Sequence, residues 1–199
     1  MPNICYNTAS MHGRVEDVES LLQDIVDIDN DNLAYSLALA YPIPDEINKI
    51  SSGMVTIDGV QHQQWLYDEE GEQVPLTDEY KEELLNKYGV LNSLDWQYAN
   101  WGTKWGDMET SLTQDETHGE TRTIIFNFRS AWGQPWALLN EIANKYHLNI
   151  KNEWQVEFEY ELETTMYPMD NMIVENEKKS LRKSLLNLKN ILKESKIGR

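Results

Sequence analysis

Three of the chain's seven tryptophans fall in one twenty-residue stretch, Tyr88 to Asp107 (YGVLNSLDWQYANWGTKWGD), interleaved with side chains suited to holding a ligand. Trp96, Trp101 and Trp105 offer faces on which a base or nucleotide could stack, and Lys104 offers a cation for its phosphate, with Asn100 and Thr103 as hydrogen-bonding groups beside them. Trp132 and Trp136 could widen that pocket, and Arg122 or Arg129 could share the role of Lys104. The same residues also suit a structural role. Each indole buries ~150–250 Å², so tryptophans at this density fit the junction between a sheet and its helices. Asn and Thr in a turn commonly satisfy nearby backbone groups.

A second constellation is acidic. Over Glu153 to Glu163 the apolar residues Trp154, Val156, Phe158, Tyr160 and Leu162 alternate with Gln155, Glu157, Glu159 and Glu161, which is the pattern of a long strand. Strand residues two apart share a face, so Glu157, Glu159, Glu161 and Glu163 would project carboxylates at intervals of ~6.7 Å. Such a row could imitate a nucleic-acid backbone toward a basic partner. Charges at that spacing repel by only ~0.6 kcal/mol in water, so a solvated face tolerates the row without any functional reason.

Other chemistries lack a pattern. His12, His62, His118 and His147 include no pair at the i, i+4 spacing of a helical zinc site. Ser10 and Cys5 have no motif around them as nucleophiles, and there is no Gly-rich phosphate loop. The expectation is a non-enzymatic protein with no metal and no cofactor.

Composition bounds the partners. The formal net charge is −17, and it is divided unevenly: residues 1–174 carry nine Lys and Arg against 31 Asp and Glu, while residues 175–199 carry eight cations against three glutamates. An acidic body disfavours direct binding to nucleic acid or to an anionic membrane and favours basic proteins. With Cys5 alone no intrachain disulfide can form, which points to a reducing, cytoplasmic setting. Neither a basic leader nor a run of ~20 apolar residues is found.

The elements that must position these residues follow from periodicity. Asn3 to Ser10 alternates as a strand, and Val15, Val18, Leu21, Leu22, Ile25 and Val26 recur at helical spacing from Arg14 to about Asp27. Leu33 to Ile43 alternates strictly and is expected as a strand. A hairpin is expected about Asp58-Gly59 and a short helix from Asp78 to Lys87, capped by Thr77 and stopped by Gly89. Asp95 to Gly102 reads as a helical segment, Thr103 to Leu112 and Thr121 to Arg129 as strands, and Gln134-Pro135 as the opening of a helix that runs to Tyr146. With a loop-rich insertion at about 28–92 set aside, the order is that of an α+β, ferredoxin-like split βαβ domain. This is an antiparallel four-stranded sheet with two helices on one face, spanning residues 1–165. A linker and a basic amphipathic helix are expected over 166–199, where Leu181, Leu185, Leu188 and Leu192 share a stripe. That helix would dock on its own domain or join a second copy or a partner.

The block Asn100-Trp101-Gly102-Thr103-Lys104-Trp105 resembles the YubB-type ferredoxin-like domain family of phages, plasmids and other mobile elements, a family without an established activity. Supporting it are Tyr88-Gly89 leading into Asp95-Trp96, the Asn-containing first strand, Pro42-Ile43-Pro44-Asp45-Glu46, and Ala131-Trp132-Gly133-Gln134-Pro135 before the second helix. The resemblance covers most of residues 1–160 and implies the same fold. The family pattern usually continues after its last strand with a Gly-containing aromatic segment, from which Met166 to Met172 departs. The resulting expectation is a binding protein of a phage or mobile element whose acidic surface, through Glu157, Glu159, Glu161 and Glu163, occupies a basic site on a host defence or regulatory protein. The alternative is a nucleotide or small-ligand sponge using Trp96, Asn100, Trp101, Thr103, Lys104 and Trp105.

Overall fold

Strand β1 (Ile4–Arg14) lies in the middle of the molecule and is followed directly by helix α1 (Val15–Ile25) in a computed structural model that describes residues 3–29 and 32–168. The alternation in β1 sends Cys5, Asn7, Ala9 and Met11 inward, and these side chains are buried. The inward residues of α1, namely Val18, Leu21 and Ile25, close over them. The next elements are taken up by an insertion: β2 (Val26–Asp29), β3 (Asn32–Tyr35), a 3₁₀ turn (Leu37–Ala40), α2 (Asp45–Asn48), β4 (Ser51–Ile57), β5 (Val60–Tyr67), β6 (Gln73–Pro75), α3 (Asp78–Tyr88) and α4 (Ser93–Asn100). The main sheet resumes with β7 (Met108–His118) and β8 (Thr121–Ala131), then α5 (Trp136–Lys145), β9 (Asn149–Val156) and β10 (Glu163–Tyr167).

The architecture is α+β, and the main sheet is antiparallel throughout in the order β10-β9-β1-β8-β7. It has five strands where the sequence order predicts four, because the chain turns after β9 and adds β10 to the edge. Ala9 sits opposite Phe126 on one side and Asn152 on the other, so the inward faces of β1, β8 and β9 are in phase. Phe126, Phe128, Ile124 and Ile150 meet Leu138, Leu139, Ile142 and Ala143 of α5 in one core, each large side chain contributing ~1.5–3 kcal/mol by burial. Leu37, Ala40, Ile47, Ile50, Leu76, Leu84, Trp96 and Trp101 of the insertion join the same core. The opposite face of the sheet carries Tyr6, His12, Asn127 and Arg129, all exposed. None of the described helices is long and apolar enough to cross a membrane.

Local signals in the insertion are mostly obeyed. The β4–β5 hairpin turns on Asp58 at φ 50° and Gly59 at φ 79°, the left-handed pair that a two-residue turn demands. Thr77 accepts from Tyr80 N at 3.2 Å, and Gly89 ends α3 at φ 73°. The strand expected over Leu33 to Ile43 is corrected: only Asn32–Tyr35 is extended, and Leu37–Ala40 winds into the 3₁₀ turn. The cause is a distant carboxylate. Asp107 accepts from Leu37 N at 2.8 Å, Ala38 N at 2.9 Å and Ser36 Oγ at 3.1 Å, satisfying the donors that a helical start leaves open. The strand expected from Thr103 likewise begins only at Met108.

The long strand expected over Glu153 to Glu163 is also corrected. β9 ends at Val156, opposite Cys5, because β1 begins at Ile4 and offers one last acceptor, Ile4 O, to Glu157 N at 2.7 Å. Phe158 then adopts φ 69°, and Glu159 N and O bind Val156 O and Gln155 Nε2 at 3.0 and 2.7 Å in a tight turn. Glu157, Glu159 and Glu161 therefore do not form a ladder, and Glu163 belongs to β10. The basic segment expected as a terminal helix lies outside the described residues.

Asp24 of α1 joins that helix to α5. Its carboxylate accepts from Tyr146 Oη at 2.6 Å and Lys145 Nζ at 3.2 Å. These bonds hold the Asp24 carboxyl below its usual range, while burial pushes the Tyr146 phenol up to about 12. A carboxyl depressed in the folded state contributes stability that is complete above its unfolded value and is lost as pH falls through the folded one. Urea-denaturation midpoints measured from pH 6 down to pH 2.5 should fall less steeply below about pH 4 in Asp24→Asn than in the parent chain.

Candidate functional site

The loop from Trp101 to Asp107 is built from both kinds of residue that its sequence suggests. Trp96 and Trp101 are core, with 3% and 6% of their surface exposed. Their rings meet edge to face at 5.6 Å, Trp96 also packs on Tyr41 at 5.2 Å, and Trp101 Nε1 donates to Tyr41 O at 2.8 Å. Asn100 Nδ2 donates to Trp96 O at 2.9 Å while its oxygen accepts from Tyr41 Oη at 3.2 Å, and buried Thr103 donates to Ala131 O. Trp96, Asn100, Trp101 and Thr103 thus serve the framework, which corrects their placement as lining of a ligand pocket. Lys104 and Trp105 stand outside it. Lys104 Nζ lies 4.1 Å from the centroid of the Trp105 ring, and Trp105, at φ 60°, is held by its N–H to Gln97 Oε1 at 2.8 Å.

A second loop, Ala131 to Pro135, lies against the first. Gly102 sits under the Trp136 indole, so close that a Cβ there would fall 2.4 Å from Trp136 Nε1. Trp132 takes φ 70° and donates its N–H to Asn3 O at 2.9 Å. Both Trp132 and Trp136 remain half-exposed. Beneath them a polar network pins the loop to the inner face of the sheet. Gln134 accepts from Asn152 Nδ2 at 3.1 Å and Tyr167 Oη at 2.8 Å and donates to Thr165 Oγ1 at 2.7 Å. Asn152 also donates to Asn7 Oδ1 at 3.0 Å, and Asn7 donates to Ser130 Oγ at 2.9 Å. Asn7 and Asn152 occupy inward positions of otherwise apolar strands, and that break in the pattern is the only trace of the network in the sequence.

The third loop is Glu157 to Leu162. It follows β9 at the end of the sheet where β1 begins, β8 ends and β7 starts, which is the end that carries the other two loops. Glu157 Oε2 accepts from Ile4 N at 3.3 Å, next to the Asn3 carbonyl that holds Trp132. Phe158 is 83% exposed, Tyr160 is fully exposed, and Leu162 is 65% exposed. The topology thus brings together at one end what the sequence separates: Trp105 and Trp132 on two loops, Trp136 at the start of α5, and Phe158, Tyr160 and the glutamates on a third loop. Phe158 and Tyr160 are missed by sequence reasoning because their alternation continues that of β9. The signal that could have found them is the start of the partner strand at Ile4.

Charges around this end are committed in one direction. Arg129 pairs with Glu109 at 2.8 Å and lies 5.7 Å from the Tyr6 ring, beside a depression of about 350 Å³ that also involves Thr8, Ser111 and Asn127. Arg122 pairs with Asp115 at 2.6 Å at the far end of the sheet, so it does not join Lys104. Lys104 makes no ion pair among the described residues. Cys5 is buried, and desolvation pushes its thiol up to about 11. Among the described residues no cluster of His, Cys, Asp and Glu could hold a metal ion. Comparison of the chain with protein-family models, with curated proteins and with solved structures finds no match.

Two consequences are measurable. Gly102→Ala adds a Cβ against a rigid indole at a residue whose φ is +80°, and should cost about 2 kcal/mol or more in urea denaturation while shifting tryptophan emission to the red as Trp136 is displaced. Cys5 should resist a thiol reagent at pH 8 in the folded protein, where its thiolate is disfavoured and covered, and react with one equivalent once urea unfolds the chain.

Proposed function

We propose that the chain is a non-enzymatic binding protein of ferredoxin-like split βαβ type, with β10 as an addition, belonging to the YubB-type domains of phages and mobile elements. Its target is a basic site on a host defence or regulatory protein, reached in the host cytoplasm. One observation carries this reading: three separate loops and the first residue of α5 bring Trp105, Trp132, Trp136, Phe158 and Tyr160 to the same end of the sheet as Glu157, Glu159 and Glu161. Exposed aromatic rings and carboxylates are the two groups that bind arginine best, the first by stacking under the guanidinium and the second by paired hydrogen bonds. Large aromatic residues are also those that dominate protein interfaces. The excess of carboxylate over residues 1–174 adds a field that draws a cationic surface toward this end. Charge and aromatic area, rather than regularly spaced carboxylates, are what engage the partner.

A second reading keeps the alternative of a nucleotide or small-ligand binder, supported by Lys104 over Trp105 at 4.1 Å without an ion pair among the described residues. It is opposed by the acidic field, which repels anions. Titration separates the two readings. Nona-arginine should bind the full chain and be weakened about tenfold, ~1.4 kcal/mol, by Trp132→Ala and by Glu159→Gln with Glu161→Gln, with affinity falling as salt rises. Unchanged affinity in both variants would sink the basic-partner reading. Quenching of tryptophan emission by ATP, abolished in Lys104→Ala, would replace it with the second.

A further inference from the structure

We infer that the depression on the open face of the sheet is a binding site for a small zwitterion of the α-amino acid class, its carboxylate taken by Arg129 and its ammonium by Glu109. The site goes beyond the basic-partner reading and uses none of the residues on which that reading rests. Its first support is the way the described arginines use their planar forks. Arg14 sets Nε and Nη2 on the two oxygens of Asp17 at 2.8 and 3.0 Å, and Arg122 sets the same two nitrogens on Asp115 at 2.7 and 2.6 Å. This two-bond geometry is the one in which a guanidinium holds a carboxylate most firmly. Arg129 departs from it. Its Nη1 alone donates to Glu109 Oε1 at 2.9 Å and lies 2.8 Å from Oε2, so its Nε and Nη2 edge has no acceptor among the described residues. The edge best suited to a carboxylate is thus left open to one from outside the chain.

The second support is what surrounds that edge. Between Met108 and Ser111, β7 holds one residue more than β8 does between Arg129 and Asn127, which makes a bulge, and Glu109 takes φ 52° within it. A bulge re-aims a side chain, and a residue other than glycine stays in the left-handed region only where its surroundings hold it there. The result is a carboxylate turned to Arg129 with 66% of its side chain exposed, so its oxygens keep lone pairs for a second donor. Asn127 is oriented by Thr8, whose Oγ1 donates to Asn127 Oδ1 at 3.0 Å. Its Nδ2 hydrogens have no acceptor among the described residues and are free to donate to a ligand carboxylate. Half-exposed Tyr6, with Arg129 5.7 Å from its ring centroid, supplies an apolar wall. The depression that these residues line with Ser111 measures about 350 Å³, which falls within the ~300–1,000 Å³ of small-molecule sites.

Charge decides the class of ligand. Arg129 and Glu109 sum to zero in a body where residues 1–174 carry nine Lys and Arg against 31 Asp and Glu. A net anion is repelled by that field and competes with Glu109 for the one guanidinium. A simple cation is drawn by the field but leaves the open edge of Arg129 unused. A zwitterion adds no net charge and meets each half of the pair with its opposite, so both of its ends are satisfied.

Calorimetric titration of the full chain with three ligands tests this: L-phenylalanine, L-phenylalaninamide, which lacks the carboxylate, and N-acetyl-L-phenylalanine, which lacks the ammonium. The amino acid should bind with a Kd of about 1 mM or tighter, and each analogue about tenfold more weakly. Arg129→Lys keeps the charge but loses the fork, and Glu109→Gln loses the charge that receives the ammonium. Each should weaken L-phenylalanine about tenfold. Absence of binding by L-phenylalanine at about 10 mM overturns the inference. Equal affinity for either analogue, or unchanged affinity in either variant, overturns it as well. Should a variant fail to fold, the comparison of the three ligands on the parent chain decides alone.

Discussion

The hydrogen bonding of β1 on both of its edges is the constraint from which the rest of the molecule follows. β8 pairs with it over all eleven residues and β9 from Cys5 to His12, so the first residue of β1 sets where both neighbours lose their partner. Past Ala131 and Val156 there is no further strand to bind, and unpaired backbone groups must be satisfied by turning. Trp132 and Phe158 make those turns at φ 70° and 69°, a region that bulky residues seldom enter. Their exposure is thus a consequence of strand length. The large apolar side chains continue the alternation for which the inner face selects, but the sheet has ended beneath them.

A second dependence runs through the polar residues of the Asn100 to Asp107 block. Asp107 anchors the Ser36 to Ala38 turn, Thr103 reaches Ala131, Asn100 bridges Trp96 and Tyr41, and Gln97 fixes the backbone of Trp105. Each of these bonds joins segments far apart in sequence, or closes the loop that joins them. The insertion and the sheet consequently share one core, with Trp96 and Trp101 as the common wall. Lys104 and Trp105 owe their outward position to the same bonds, because every other side chain of the block is drawn inward or to a neighbouring strand.

Local rules were legible where a single segment decides the outcome. The amphipathic stripe of α1, the Asp58-Gly59 turn, the Thr77 cap and the Gly89 stop all hold, since each depends on residues a few positions apart. The α+β class and the antiparallel pairing of the sheet were legible from alternating elements. What could not be read locally depends on a remote partner: the Leu37 to Ala40 turn needs Asp107, and the end of β9 needs the start of β1. The candidate site suffers the same limit. Its aromatic and acidic parts are both visible as sequence patterns, but their meeting at one end of the sheet is a property of the topology, and the division of the tryptophans into buried and exposed is set by neighbours in space.

The distribution of charge completes the picture of what that end can bind. Of the nine cations in residues 1–174, Arg14, Lys81, Lys87, Arg122, Arg129, Lys145 and Lys151 each lie within 4.0 Å of a carboxylate. Most of these pairs are exposed and so contribute little to stability, typically ~0–1 kcal/mol each. Their larger effect is on the field, because they tie up most of the positive charge available to an anionic ligand and leave the surplus carboxylates to repel one another. A cationic partner relieves that repulsion as it covers exposed rings, so charge and apolar burial favour the same association. An anionic ligand gains the stacking but adds to the repulsion, and only Lys104 offers it an unpaired cation at this end among the described residues.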